Sequence, residues 1–459
     1  MSINNDKRSE LNNDLFIKDM SEKLIAGGEI DNDLYTQYNV KRGLRNANGT
    51  GVLVGITKIS NVEGYKINEN KEKIAIPGKL YYRGYDVEDL VTNIIKENRF
   101  GFEEVTYLLL FGELPTETEL REFKHLLGMH RELPVGFARD MILVAPSRSL
   151  MNKLARSVLA LYSYDDNPDD TSVENVLRQS IELIGYFPTL IAYAYQAKSN
   201  YYDNKSLHLH YPVPEFSTAE NILRMIRPDR EFTQFEARML DLSLILHAEH
   251  GGGNNSSFTT HLISSSGTDT YSAMAAAVGS LKGPRHGGAN INVINMLADL
   301  KANVKDISNE RQLEDYFVKV FKKEANDRSG LVYGLGHAIY TISDPRATLL
   351  KGMAKQLAEH KGMQQDFALC EYIENKVPDI YGNLVGEKRN MPANVDLYSG
   401  FVYNALNIPP DLATPLFANA RLSGWCAHRL EELISGKKLM RPAYVGIQPH
   451  RDYIRPDQR

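Results

Sequence analysis

Three short segments of this chain interrupt a long run of helix-like periodicity, and each carries histidine beside glycine. The first, HAEHGGGNNSSFTTH, begins at His247 and holds His250, Ser256 and His261. The second, GPRHGGAN, places His286 ahead of a glycine pair at the mouth of the next periodic stretch. In the third, GLGHAIYTISDPR, His337 stands between Gly336 and Ala338. A lone histidine is ordinarily a satisfied core or surface residue. Glycine-flanked histidines in turns are another matter, because glycine lets backbone come close to a ligand and a helix start offers free N–H groups to an anion. A fourth segment, PANVDLYSG, sets Asp396 between Val395 and Leu397 just ahead of a helical pattern. By itself such an acid reads as an N-cap; beside the three histidine segments it becomes a candidate catalytic carboxylate.

A metal centre is the first alternative, since His247, His250, His261 and His286 cluster in sequence and His247 and His250 would share a helix face. The HExxH pattern is absent, no acidic ligand stands at a persuasive spacing, and no cysteines are paired. The expectation is therefore no metal. A phosphate loop at HGGGNNSS is weaker still, because no Gly-Lys-Ser/Thr follows.

Positioning these groups requires a scaffold, and after Asp86 the pattern is overwhelmingly helical. Asp86 opens VEDLVTNIIKE, FEEVTYLLLFG ends on a glycine suited to a C-cap, and Thr116 with Glu119 reads as a capping box. Further helical periods run through SLMNKLARSVLALYS, VENVLRQSIELIGYFPTLIAYAYQ, FEARMLDLSLILHAEH, YSAMAAAVGSL, NVINMLADLKANV, QLEDYFVKVFKKEAN, ATLLKGMAKQLAEH, DFALCEYIENKV, YSGFVYNALNI and PLFANARLSGWCAHRLEELISG. Residues 379–394, rich in Gly, Pro and Asn, read as a linker. Upstream, the runs GVLVGITKIS and KLYYRGY flank a turn-rich, charged stretch, which predicts a small β-hairpin region within 51–82. Residues 1–48 read as a polar arm with one weak helical pattern around Leu15 to Leu24. The fold class is mainly α with that one hairpin region.

Bulk properties narrow the function. The chain has 459 residues and a net charge of −5, enough for two lobes and without the basic footprint of a nucleic-acid binder. No apolar run reaches membrane-spanning length, and the N-terminus resembles neither a secretory signal nor a transit peptide. Cys370 and Cys426 lie far apart in apolar stretches and read as buried thiols of a reducing compartment. A cytoplasmic enzyme fits these facts.

Taken together, HAEH-GG-N, GPRHGGAN, G-GHAIY with DPR, NVDLYSG, NARLSGWCAHRLEE and RPAYVG resemble the citrate synthase family, in its order and approximate spacing across most of residues 51–446. The resemblance implies a two-domain helical fold. A large discontinuous domain would comprise residues 49–287 and 395–459, a small one 288–394, and the site would lie between them. It implies that Asp396 takes a proton from the α-carbon of an acyl-CoA while His286 hydrogen-bonds the thioester carbonyl, with Ser256 behind His286. His337 would polarise the 2-oxo group of the second substrate. His250, Arg346, Arg421 and Arg441 would bind that substrate, Arg441 reaching across a homodimer interface. A thioester α-proton is weakly acidic, so a base and a carbonyl donor must act together. Three arginines suit a dianion such as oxaloacetate, each planar guanidinium gripping a carboxylate.

The implied reaction is condensation of acetyl-CoA with oxaloacetate and hydrolysis to citrate and CoA, with no tightly bound cofactor. Propionyl-CoA, giving 2-methylcitrate, is the close alternative, because one methylene is worth only about 1–3 kcal/mol of discrimination. A non-catalytic CoA- or dicarboxylate-binding relative is the more distant one. Two departures from the family pattern stand out: Leu335 where an aromatic residue is common, and Thr341 where a basic one often contacts CoA phosphates. Lys282, Arg285, Lys388 and Arg389 are the candidates to replace it.

Overall fold

The structure, a computed structural model, describes residues 2–69, 72–387 and 390–459, with side chains from Asn13 onward. The chain forms two compact units, one of Met1–Gly55 with Arg441–Arg459 and one of Ile56–Met440.

In the first unit the weak pattern expected around Leu15 to Leu24 belongs to a much longer helix, Ser2–Gly28. Polar residues carry it, with a Lys23–Asp19 pair at 2.7 Å one turn apart, and Leu15, Phe16, Ile17, Leu24 and Ile25 are all exposed. A short helix, Asn32–Gln37, follows, capped by the Asp31 side chain. The C-terminal part of this unit, which opens with Arg441, is exposed and without regular secondary structure until a short 3-10 turn at Pro456–Gln458.

The second unit begins with the hairpin. Strand Ser60–Ile67 pairs antiparallel with Lys73–Tyr82, Ser60 opposite Tyr82, with an irregularity between Glu63 and Tyr65, and Tyr85–Asp86 adds a short third strand. The first strand starts later than the apolar run GVLVGITKIS suggested. Residues 52–58 form no strand, and Leu53 and Ile56 are more than nine-tenths exposed. Strand formation instead uses SNVEGYKI, of which Gly64 is buried and Val62 packs against the core.

The expected helices are present, and their ends obey capping chemistry. Asp86 caps Val87–Lys96, Thr116 and Glu119 form a reciprocal capping box on Glu117–Met129, and Gly112 ends Phe102–Phe111 with φ +95°. Gln234–His247 opens on a second such box, Thr233 with Glu236. Two expectations are corrected. The linker expected at 379–394 is half helix: Gln364–Val385 runs through Pro378 before ending at Gly386. The segment NNSSFTTH, expected to interrupt the helices, is mostly a helix itself, Asn255–Ser264, capped by Asn254. Its threonines bond back to carbonyls four residues earlier, Thr259 to Asn255 and Thr260 to Ser256.

Ala413–Glu431 is the centre of this unit. It packs against Phe102–Phe111, Val173–Asp203, Gln234–His247, Asn255–Ser264 and Thr270–Lys282, and it is buried nearly all round. A second set of helices, Ala289–Asn303, Pro345–Lys361, Gln364–Val385 and Val395–Ala405, packs on itself. Both cysteines are buried and free, with burial raising each thiol to about 12. Among the described residues no helix is long and apolar enough to cross a membrane.

Candidate active site

Two of the sequence motifs are stitched together by their backbones. Leu335 and Ala393 form an antiparallel bridge. Gly336 N–H donates to the Pro392 carbonyl at 2.7 Å and Asn394 N–H to the Gly334 carbonyl at 2.9 Å. The approach depends on glycine: Gly334 has φ +87°, and a Cβ there would stand 2.9 Å from the Leu397 Cβ. His337 and Asp396 therefore leave the two sides of one miniature ladder.

Asp396 is not the cap of its helix, as its position just ahead of the pattern had suggested. Asn394 caps Val395–Ala405 by accepting the Asp396 N–H at 3.0 Å, which leaves the Asp396 carboxylate for other use. Desolvation pushes that carboxyl up to about 6, with Arg346 pulling the other way. A carboxylate so placed is a stronger base than a solvated one, while remaining largely ionised at neutral pH.

His337 Nδ1 accepts from the N–H groups of Ile339 and Tyr340, at 3.1 and 3.2 Å. The neutral ring must then carry its proton on Nε2, as a fixed donor. Tyr340 stacks on it with centroids 4.6 Å apart, and its hydroxyl meets His250 Nε2 at 3.2 Å. Burial, aided by Arg346, lowers His337 to about 4 and His250 well below its usual range, so both rings are neutral hydrogen-bonding groups.

Arg346 is 3 % exposed and lies in the first turn of Pro345–Lys361, where Asp344 is both helix cap and ion-pair partner. Asp344 takes its Nε at 3.0 Å and its Nη2 at 2.7 Å. Burial works against the guanidinium charge, and the Asp344 carboxylate overcomes it and holds the group above its ordinary range. Pro345 occupies the start of that helix, and the Arg346 charge acts on His337.

Arg421 is the opposite case. It is fully buried, its Nε donates to the His247 carbonyl at 2.7 Å, and neither Nη1 nor Nη2 has a partner. Burial lowers it to about 10, so it stays charged at neutral pH with two forked donors unused. Arg421 sits near the middle of Ala413–Glu431, with eight residues of the helix before it and ten after, buried in the core. His247 also lies buried with both ring nitrogens unpartnered, against the Phe417 ring. Arg441 is exposed and belongs to the other compact unit.

His286 lies within the turn 284–288 that leads into Ala289–Asn303. Its Nε2 meets Ser256 Oγ at 3.1 Å, and Trp425 Nε1 donates to the same oxygen at 3.0 Å. The hydroxyl has one proton to give, to Asn254 Oδ1 at 2.8 Å or to His286. Burial first, then Arg421, lowers His286 to about 4.

Two charges bind the set together. Arg346 acts electrostatically on His247, His250, His337 and Asp396, and Arg421 on His247, His250, His286 and Asp396. Of the residues picked from sequence, Lys282 and Arg285 are exposed, and Lys388 and Arg389 lie outside the described residues. Leu335 makes the bridge to Ala393, and Thr341 is intermediate in exposure with a buried, unpartnered hydroxyl. Sequence reasoning passed over Tyr340, Trp425, Asn394 and Glu249, all of which hold site residues in place. Their positions inside the quoted motifs were the available signal. His261, grouped with the other histidines by sequence, hydrogen-bonds instead to His428 and Glu432.

A mainly helical chain whose site holds a desolvated carboxylate, three neutral imidazoles and an unpaired buried arginine is suited to proton transfer next to a bound carboxylate. Comparison with known proteins agrees. The family model "Citrate synthase, C-terminal domain" matches residues 46–443. A citrate synthase of Synechocystis is 34% identical over 87% of this chain and 90% of its own length. One from Haloferax volcanii is 34% identical over 92% and 99%. The solved citrate synthase of Thermoplasma acidophilum, a ternary complex with carboxymethyl coenzyme A and oxaloacetate, superposes with a TM-score of 0.72 at 26% identity, covering 91% of this chain and 99% of that one. The chain belongs to the citrate synthase family. It is an acyltransferase of that type, with the mainly α fold its sequence predicted.

Proposed function

We propose that this enzyme condenses acetyl-CoA with oxaloacetate and hydrolyses the resulting thioester to citrate and CoA. The observation that carries the reading is Arg421, a fully buried guanidinium whose Nη1 and Nη2 have no partner. A buried unpaired charge is costly, and a substrate carboxylate supplies the planar, two-oxygen partner it lacks. Arg346 serves the second carboxylate, and His250 and His337, both neutral, donate to the oxo and carboxylate oxygens. The Nε2–H of His337 polarises the 2-oxo group as the new bond forms.

Asp396 removes the α-proton of the thioester. When Ser256 gives its hydroxyl proton to His286 Nε2, the imidazole carries its own proton on Nδ1, the donor that an enolate oxygen needs. Neutral imidazole suits this work, because a donor of modest acidity stabilises the enol without delivering a full charge to the pocket. Arg441 supplies a further carboxylate contact from a second subunit of a homodimer, and the enzyme works in the cytoplasm. Closure of a small domain, residues 288–394, over a larger one, residues 49–287 and 395–459, excludes water during enolisation.

Steady-state rates with acetyl-CoA and propionyl-CoA, each against oxaloacetate, test the assignment. A higher kcat/KM for acetyl-CoA is expected. A higher value for propionyl-CoA would reassign the enzyme to 2-methylcitrate synthesis, and no condensation with either would make it a binding protein.

A further inference from the structure

Away from the substrate groups, His261 on Asn255–Ser264 meets His428 in the last turn of Ala413–Glu431, with His261 Nε2 and His428 Nδ1 3.0 Å apart. Their outer nitrogens are both committed. His261 Nδ1 lies 2.8 Å from Glu432 Oε2, and His428 Nε2 lies 3.0 Å from Glu249 Oε1. Carboxylates accept, so each outer nitrogen carries a proton, and while the rings are neutral each inner nitrogen presents a lone pair. Two lone pairs then face each other at hydrogen-bond distance with no proton between them. A third acceptor joins them. Glu431 Oε2 is buried without a hydrogen-bond partner, 3.9 Å from His428 Nδ1, while its other oxygen is fixed by the Lys58 N–H at 2.7 Å.

We propose that His261 Nε2, His428 Nδ1 and Glu431 Oε2 form a binding site for one divalent transition-metal ion of the zinc type. The three atoms lie within 4.8 Å of one another, and metal–ligand bonds of about 2.0–2.2 Å place tetrahedral ligand atoms about 3.3 Å apart, between the two separations found here. Imidazole nitrogen with one carboxylate oxygen is a zinc-like ligand set. Glu432 and Glu249 act as the outer carboxylates that orient metal-binding histidines and raise their basicity. A proton shared by the histidines would satisfy them but leave Glu431 Oε2 buried and unpartnered; a metal ion serves all three.

The ion would be a strut. Through His428 it would fix Glu249, whose Oε1 also accepts from Ser60, and Ser60 Oγ in turn accepts the Gly251 N–H. That chain of contacts ends at the turn that carries His250. No spacing rule could reveal the site, because its ligands stand 167 residues apart in the chain.

The test uses the full-length protein, stripped with a chelator and titrated with zinc alone by calorimetry and with cobalt alone by visible absorption. One equivalent per chain and a tetrahedral cobalt spectrum are expected. His261→Gln should abolish both, and Glu432→Gln should weaken zinc roughly 10–100-fold while keeping the spectrum. Absence of stoichiometric zinc binding in the unmodified protein would overturn the proposal, as would equal zinc affinity in a folded His261→Gln variant. If His261→Gln does not fold, Glu432→Gln decides: unchanged zinc affinity there would also overturn it.

Discussion

Asn394 reaches Gly336 with its side chain, Nδ2 donating to the Gly336 carbonyl at 2.9 Å, one residue before His337. The same side chain caps the helix of Asp396 through Oδ1. One amide thus sets where Asp396, the proposed base, and His337, the proposed oxo-binding imidazole, stand relative to each other. Asn394→Asp keeps the cap acceptor and loses the donor. The Gly336 carbonyl then faces a carboxylate, so we expect stability to fall by about 1–3 kcal/mol and kcat to fall more than KM. Denaturant unfolding with steady-state kinetics checks both, and unchanged kcat would remove Asn394 from the positioning of the site.

Asp396→Asn should abolish condensation and raise stability. Burial lifts the Asp396 carboxyl to about 6 in the folded protein, against about 3.9 when unfolded. Above pH 6 the folded state therefore holds an ionised group in an unfavourable place, and stability from this residue grows as pH falls from 6 toward 4. Removing the charge at pH 7 should stabilise by at most about 2–3 kcal/mol, visible as a higher melting temperature. A lower Tm for the variant would contradict the assigned burial cost.

Under the proposed mechanism the same group sets the acid limb of activity. His286 and His337 are held neutral down to about 4, so the loss of kcat/KM on acidification should follow Asp396, with an apparent midpoint near 6. A midpoint near 4 would transfer the acid limb to the histidines.

Arg421→Lys retains a charge but loses the planar fork, and Arg421→Met loses both. We expect KM for oxaloacetate to rise roughly 100-fold or more in either case, the scale of about 3 kcal/mol for a buried charged hydrogen-bond pair. Met should fold at least as well as the parent, since it removes an unpaired buried charge. Calorimetric binding of oxaloacetate checks this, and undiminished affinity in both variants would exclude Arg421 from the clamp.

Ser256→Ala strips His286 of its partner and leaves the Trp425 N–H buried without an acceptor. A stability loss of about 1–3 kcal/mol is expected, together with a lower kcat. Ser256→Thr, which restores a hydroxyl, should recover part of the rate. No recovery with Thr and no loss with Ala would each argue for packing alone.

The sequence by itself determined most of the local structure. Periodicity placed the helices, and Thr116 with Glu119 marked a helix start before any coordinates, because capping and amphipathicity are encoded within a few residues. It also singled out His286 and His337, whose glycine neighbours mark backbone close to a ligand. Its errors were local ones that distant contacts override. Pro378 did not end its helix, residues 52–58 of the apolar run before Ser60 formed no strand, and NNSSFTTH became a helix because Asn254 caps it and the helices Thr270–Lys282 and Ala413–Glu431 cover it.

What only the tertiary structure decided is which groups are paired and which are left bare. Arg346 and Arg421 look alike in sequence, yet one is locked to Asp344 and the other waits with two free nitrogens. Gly424 lets Ala413–Glu431 come so near the 247–250 turn that a Cβ there would meet the Ala248 carbonyl at 2.6 Å. That approach brings His428 to Glu249 and Arg421 to His247. Asp344 stands only two residues from Arg346, but His247, which meets Arg421, and Glu249, which meets His428, lie more than 170 residues away along the chain, and no short-range pattern carries those contacts.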